Sequence, residues 1–107
     1  MKQSKLLITA IIPTFNEEEN IRKALESVLW ADEIIVVDSF STDRTLEIVT
    51  EFPEVTLIQH EYVNSATQKN WTIPQAKHDW IFLLDADEYA SNELIQEVAR
   101  TIEHGTD

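Results

Sequence analysis

Cysteine is absent from this 107-residue chain, glycine occurs once, at Gly105, and eight Lys and Arg stand against twenty Asp and Glu. Without cysteine there is no disulfide, no thiolate zinc site and no cysteine nucleophile, and a reducing cytoplasm suits such a chain. A single glycine excludes both the G-x-G-x-x-G dinucleotide fingerprint and the G-x-x-x-x-G-K-[ST] phosphate loop. The formal charge of −12 argues against nucleic acid, whose phosphates require clustered Lys and Arg. It is compatible with recruiting cations that offset a polyanionic ligand, although most of the carboxylates read as a solvated acidic surface. Long apolar runs are missing too. Lys2 and Lys5 before Leu6–Ile12 imitate a signal peptide, but the apolar stretch is short and runs into Pro13 and Glu17–Glu19, so a buried first strand explains it better. Nothing approaches the ~20 apolar residues of a membrane span.

What is present suffices for a core. Hydrophobic residues make up 43%, with three Trp and four Phe, which fits one small domain or part of a larger one. Short, β-branched apolar runs at Leu6–Ile12, Glu33–Asp38, Val55–His60 and Trp80–Asp85 are predicted strands; the first two are apolar on both faces, as a covered parallel sheet demands. Helix-period segments lie between them. The first helix is expected to open at Asn16 as N-cap, with Glu17–Glu19 in its first turn and Ile21, Leu25, Val28 and Leu29 as its apolar stripe. The second is expected from Ser41 or Thr42, carrying Leu46, Val49 and Phe52 before Pro53 ends it. The third covers about Ser65–Ala76, with Pro74 set to kink or end it. The last begins at Ser91, presents Ile95, Val98, Ala99 and Ile102, and stops at Gly105. The order βαβαβαβα implies an α/β fold of three layers, α/β/α, with a mainly parallel sheet and right-handed crossovers.

The most informative stretch is Trp80-Ile81-Phe82-Leu83-Leu84-Asp85-Ala86-Asp87-Glu88, where an apolar run breaks off into carboxylates. Carboxylates at a strand end must be solvated, paired or metal-bound, and in open α/β sheets ligands bind at the carboxyl ends of the strands. Two further strand ends are polar: Pro13-Thr14-Phe15-Asn16-Glu17 and Asp38-Ser39-Phe40-Ser41-Thr42-Asp43. Taken singly, each is explained by turn chemistry, with Asn16, Ser41 and Ser91 as helix caps and Asp38 as a turn aspartate. A parallel sheet brings all three loops to one edge, and that convergence points to a cation and phosphate site.

These residues carry a resemblance. Ile-Ile-Pro-Thr-Phe-Asn-Glu-Glu-Glu-Asn-Ile at 11–21 resembles the opening strand and helix of inverting family 2 glycosyltransferases of the GT-A type. Trp30-Ala31-Asp32-Glu33-Ile34-Ile35-Val36-Val37-Asp38-Ser39, followed by Ser41-Thr42-Asp43-Arg44-Thr45, is similar to that family's second strand and turn. Gln68-Lys69-Asn70-Trp71 and the Trp80–Glu88 run complete a match over nearly the whole chain, nearest to lipopolysaccharide-core β-glucosyltransferases. The resemblance implies a Rossmann-like GT-A fold for transferring a sugar, a UDP-hexose above all, from a nucleotide-diphosphate sugar to a glycan or lipid-linked acceptor.

The resemblance also implies roles for residues. Thr14, Asn16 and Glu17 would line the nucleotide pocket, and Asp38 would accept from a uracil-type N–H of the base. Asp85 and Asp87 match the D-x-D motif, with Asp87 on Mg²⁺ or Mn²⁺ and Asp85 on the ribose or the metal's water shell. Lys69 is a further candidate for phosphate or sugar. Two departures stand out: Phe40 occupies a turn position where the family usually has Gly, free to take φ > 0, and Pro74 interrupts the third helix. Family members continue past D-x-D to the acceptor surface and a general base, so residues 1–107 are expected to be the donor-binding half, with that base beyond Asp107. The resemblance further implies a cytoplasmic location, peripheral at the inner membrane face, and an open sheet edge that favours self-association. Two other readings also fit acidic strand ends: a non-catalytic interaction domain, and a metal-dependent phosphotransfer domain. A receiver of the latter kind needs a late lysine after a further strand, and the phosphatase type places Asp-x-Asp after its first strand rather than its fourth.

Overall fold

The computed structural model describes residues 6–104. Four parallel strands, β1 (Leu6–Thr14), β2 (Ala31–Asp38), β3 (Val55–Gln59) and β4 (Ile81–Leu83), form one sheet in the order β3-β2-β1-β4. Between them run α1 (Ile21–Glu26), α2 (Thr45–Val49) and α3 (Ser65–Thr72), and α4 (Asn92–His104) follows β4. The parallel α/β architecture expected from the alternating pattern is thus present, and consecutive strands are joined by helical crossovers as parallel pairing requires.

The sheet is covered on both faces. Ile8, Ala10 and Ile12 of β1 and Ile34 and Val36 of β2 pack with Ile21, Ala24, Leu25 and Val28, with Ile48 and Val49 of α2, and with the partly buried Val98 and Ile102 of α4. The alternate residues Ile11, Ile35 and Val37 face the other way with Ile58 and Ile81, on the side where α3 meets β1. Double coverage explains why the central strands are apolar at nearly every position. Val98 and Ile102 of the expected last stripe reach the core, and Ser91 caps α4 through an acceptance from Leu94 N–H at 3.1 Å. The expected stop at Gly105 lies outside the described residues.

Two helix starts differ from expectation. The first helix begins at Ile21, not after Asn16. Asn16 adopts φ 49°, which no helix-opening residue can hold but which Asn tolerates. Its side chain is taken by the neighbouring loop, where Oδ1 accepts from Thr42 N–H at 2.8 Å and Asp43 N–H at 3.3 Å. The second helix begins at Thr45, later than Ser41 or Thr42, because Ser41 donates its hydroxyl to Asp38 and Asp43 accepts from Thr45 N–H at 2.8 Å. A contact between loops thus displaces the first start, and local bonds within the loop after β2 displace the second. The third helix follows expectation: Asn64 accepts from Thr67 N–H at 2.8 Å at its start, and the α-helix gives way at Thr72 to a 3₁₀ turn, Ile73–Gln75, that contains Pro74.

Candidate functional site

The C-terminal ends of β1, β2 and β4 lie side by side, because Thr14 pairs with Asp38 and Ile11 with Leu83. Neighbouring strands are about 4.8 Å apart, so the ends of β2 and β4, one on each side of β1, are separated by about 10 Å. That span suits a nucleoside diphosphate, and the loops that follow the strands are built in different ways.

The loops after β1 and β2 are sewn together. Asn16 N–H donates to Ser41 Oγ at 2.8 Å, Glu17 N–H to Thr45 Oγ1 at 2.8 Å, Glu18 N–H to Asp43 Oδ2 at 3.2 Å, and Arg44 N–H to Glu18 Oε1 at 3.0 Å. Burial pushes the Asp43 carboxyl up, but hydrogen bonds from the Thr45 hydroxyl and from the backbone of Thr45 and Glu18 outweigh it and leave the group below the usual carboxylate range. These bonds serve the backbone groups that a tight loop leaves without partners.

Asp38 is 0% exposed. A bare carboxylate there would be prohibitively costly, and both its oxygens are used: Oδ1 accepts from Ser41 Oγ at 2.6 Å and Oδ2 from Ser41 N–H at 2.8 Å. The turn it supports carries Phe40 at φ 58°, the position flagged for its missing glycine. For a bulky side chain that conformation costs of order 1–3 kcal/mol. The surroundings fix it: Phe40 N–H donates to Gln59 Oε1 at 2.8 Å, and Ser39 N–H donates to Thr14 O at 3.0 Å.

Beneath the turn lies Gln68, only 1% exposed. Its Nε2 donates to Ser39 Oγ at 3.0 Å, and its Oε1 sits 2.7 Å from His60 Nδ1. An amide oxygen only accepts, so the donor in this contact is His60 Nδ1–H. The His60 ring in turn stacks on Trp71, centroids 3.9 Å apart. Sequence reasoning gave Gln68 no role. A signal existed: Gln68 and Thr72 lie one turn apart on the sheet-facing side of α3, where apolar residues are the rule.

Two adjoining grooves open above this framework. The larger, about 570 Å³, is lined by Phe15, Ser39, Phe40, Glu61 and Tyr62. The smaller, about 160 Å³, is lined by Pro13, Thr14, Phe15, Glu17, Ser39, Tyr62 and Gln68. Of the residues singled out from the sequence, Thr14 and Glu17 therefore line a groove, whereas Asn16 and Asp38 hold the loops around it. Asn16 and Glu17 also border an acidic hollow with Glu18, Glu19, Asn20 and Asp43. Lys69 is half-buried on α3, beside Gln68 in sequence but not part of the lining of either groove. Phe15, Ser39 and Tyr62 carry no site role in the sequence reading, because an aromatic residue or a serine near a turn has no distinctive pattern, and Phe40 enters it only as a departure that bears on the base pocket.

The Asp85–Glu88 turn closes the other side. Leu84 and Ala86 point into the main core, while Asp85 and Asp87 alternate outward and are exposed. Glu88 Oε1 accepts from Asp85 N–H at 3.0 Å, and Glu88 N–H donates to Asp85 O at 2.9 Å. The following segment is anchored to the end of α1: Ala90 N–H donates to Ser27 Oγ at 2.9 Å, and Lys23 Nζ lies 4.0 Å from the centre of the Tyr89 ring. Among the described residues neither aspartate carboxylate has a hydrogen-bond or ion-pair partner. Nor, among them, do three or more His, Asp or Glu side chains gather into a self-sufficient metal cage. Two free hard-oxygen donors without a third fit Mg²⁺ or Mn²⁺ ions that take one or two carboxylates and complete their shell with phosphate oxygens and water.

A sequence model of glycosyl transferase family 2 matches residues 9–107. The chain belongs to glycosyl transferase family 2. An uncharacterized glycosyltransferase of Rickettsia bellii is 41% identical to this family member over 92 residues, 85% of the chain and 31% of the relative. The crystal structure of S. aureus TarS 1–349 in complex with UDP matches with a TM-score of 0.76 at 30% identity, covering 92% of the chain and 32% of that structure. The mannosyltransferase PcManGT of Pyrobaculum calidifontis, in complex with GDP-Man and Mn²⁺, matches with a TM-score of 0.69 at 28% identity over 79% of the chain and 28% of its own length. The chain thus spans a third or less of the length of these proteins. Family membership removes the phosphotransfer reading and accounts for the parallel sheet with its polar C-terminal edge. No helix among the described residues is long and apolar enough to cross a membrane.

Proposed function

We propose that residues 1–107 are the donor-binding part of a glycosyltransferase that moves a sugar from a nucleotide-diphosphate sugar, a UDP-hexose above all, to a glycan or lipid-linked acceptor, with inversion and with Mg²⁺ or Mn²⁺. The observation that carries this reading is the pairing, on one sheet edge, of an aromatic-walled groove with two partner-free aspartates about two strand spacings away. Support comes from the UDP bound to TarS and from the GDP-Man and Mn²⁺ bound to PcManGT.

In this reading the base enters the groove beside Phe15, Ser39 and Tyr62, with Thr14 and Glu17 at its inner end. Asp38 and Asn16 act from behind, fixing the turn that forms the wall. Asp85 and Asp87 hold the ion and, with it, the diphosphate, while Lys69 adds positive charge from α3. The ion, when bound, stabilises the negative charge that gathers on the diphosphate as the glycosidic C–O bond breaks. An acceptor hydroxyl attacks the anomeric carbon from the opposite face, and its proton passes to a general base. No residue of this chain is given that role, since Glu88 uses its carboxylate to fix the backbone of Asp85.

Calorimetry tests the proposal. UDP is expected to bind with micromolar-to-millimolar affinity in the presence of Mn²⁺, and Asp87→Ala to lose the metal-dependent part. Failure of the unmodified chain to bind UDP with Mn²⁺ present overturns the assignment.

A further inference from the structure

Phe40 combines three features that rarely meet at one residue. It is a bulky side chain at φ 58°, a conformation that favours glycine. It is 60% exposed, so its ring gains little from burial. It also forms a wall of the larger groove, together with Phe15 and Tyr62. Ordinary packing explains none of these, because a strained and exposed aromatic stabilises neither the turn nor the core. The hydrogen bonds beneath it, Ser41 to Asp38 and Phe40 N–H to Gln59 Oε1, hold the backbone in the conformation that presents the ring. Strain kept in place by its surroundings is a mark of function.

We propose that Phe40 is the base-stacking wall of the nucleotide groove: its ring stacks on the base of the bound nucleotide. The inference rests on the donor-binding reading and deepens it by naming the side chain that contacts the base. The groove is open enough for a planar ring, and its lining is aromatic with two hydroxyls, from Ser39 and Tyr62, and one carboxylate, from Glu61. A flat, partly polar heterocycle fits that chemistry better than a sugar, whose hydroxyls need more polar partners than the lining offers. Stacking on an aromatic face tolerates any base, so selection among bases falls to the polar groups of the lining.

The test compares Phe40→Leu, Phe40→Trp and Phe40→Gly with the unmodified chain, each titrated with UDP and with pyrophosphate in the presence of Mn²⁺. Leucine keeps an apolar side chain but removes the π face, so UDP affinity is expected to fall roughly tenfold. Tryptophan is expected to retain it. Pyrophosphate has no base, and its binding is expected to be unchanged throughout. Phe40→Gly is expected to weaken UDP binding like leucine while raising the melting temperature by about 4 °C, because glycine relieves the left-handed backbone. Full UDP affinity in Phe40→Leu overturns this inference and leaves the donor-binding reading standing. An equal loss of UDP and pyrophosphate also overturns it, since Phe40 would then act only by shaping the turn. No UDP binding by the unmodified chain overturns both.

Discussion

Asp43 illustrates how single residues hold the site without touching a ligand. Its two oxygens receive the hydroxyl and N–H of Thr45 and the N–H of Glu18, tying the loop after β2 to the loop after β1. Those donors keep its carboxyl below the usual range against the opposing effect of burial. A depressed carboxyl gives stability that is present in full above its unfolded-state value, near pH 4, and is lost as the pH falls through the lower folded-state value. Thermal denaturation across that acid range is expected to show the chain losing this contribution, and Asp43→Asn to lose less of its own stability over the same interval. An identical acid dependence in the variant would show that the Asp43 bonds contribute nothing. Asn16 belongs to the same stitching. Its sequence position after a strand reads as a helix cap, but its partners lie 26 and 27 residues away, and no local pattern announces such a bond.

Among the elements, β4 and the turn after it show how a strand delivers carboxylates. The alternation of Leu84 and Ala86 inward with Asp85 and Asp87 outward requires a small residue between the aspartates, and Ala86 is 4% exposed within the main core. Ala86→Leu is expected to overpack that core by about 1–3 kcal/mol. By moving the turn, it should also weaken Mn²⁺-dependent UDP binding. Unchanged melting together with unchanged UDP binding would show that the site does not depend on this packing. The D-x-D strand was legible in the sequence because apolar runs ending in acidic residues have few structural explanations. The alternation of strands with helices and the apolar stripes of α1 and α4 follow from hydrophobic periodicity, whereas the spatial order β3-β2-β1-β4 does not. The starts of α1 and α2 were not legible, because Asn16 and Ser41 bond across the loops, and Asp43, which holds the start of α2, bonds across them as well. Nor was the groove, whose walls come from three separate loops: Phe15 after β1, Ser39 and Phe40 after β2, and Tyr62 after β3.

For the molecule as a whole, the parallel sheet does the essential positioning by bringing three unrelated loops to one edge. The packed layers hold the strand ends in register, and the hydrogen-bonded loops narrow the edge into a groove on one side and an exposed acidic turn on the other. The charge of −12 opposes a free diphosphate, so in the proposed reading the cation arrives with the nucleotide. Backbone amide NMR of the chain with UDP and Mn²⁺ tests this arrangement most directly. UDP is expected to shift the amides of Phe15, Ser39, Phe40 and Tyr62, and Mn²⁺ to broaden those of Asp85, Ala86, Asp87 and Glu88 beyond all others. Shifts centred on the Glu17–Glu19 hollow, or on the apolar crevice between Trp80 of the β4 segment and Val98 of α4, would contradict it.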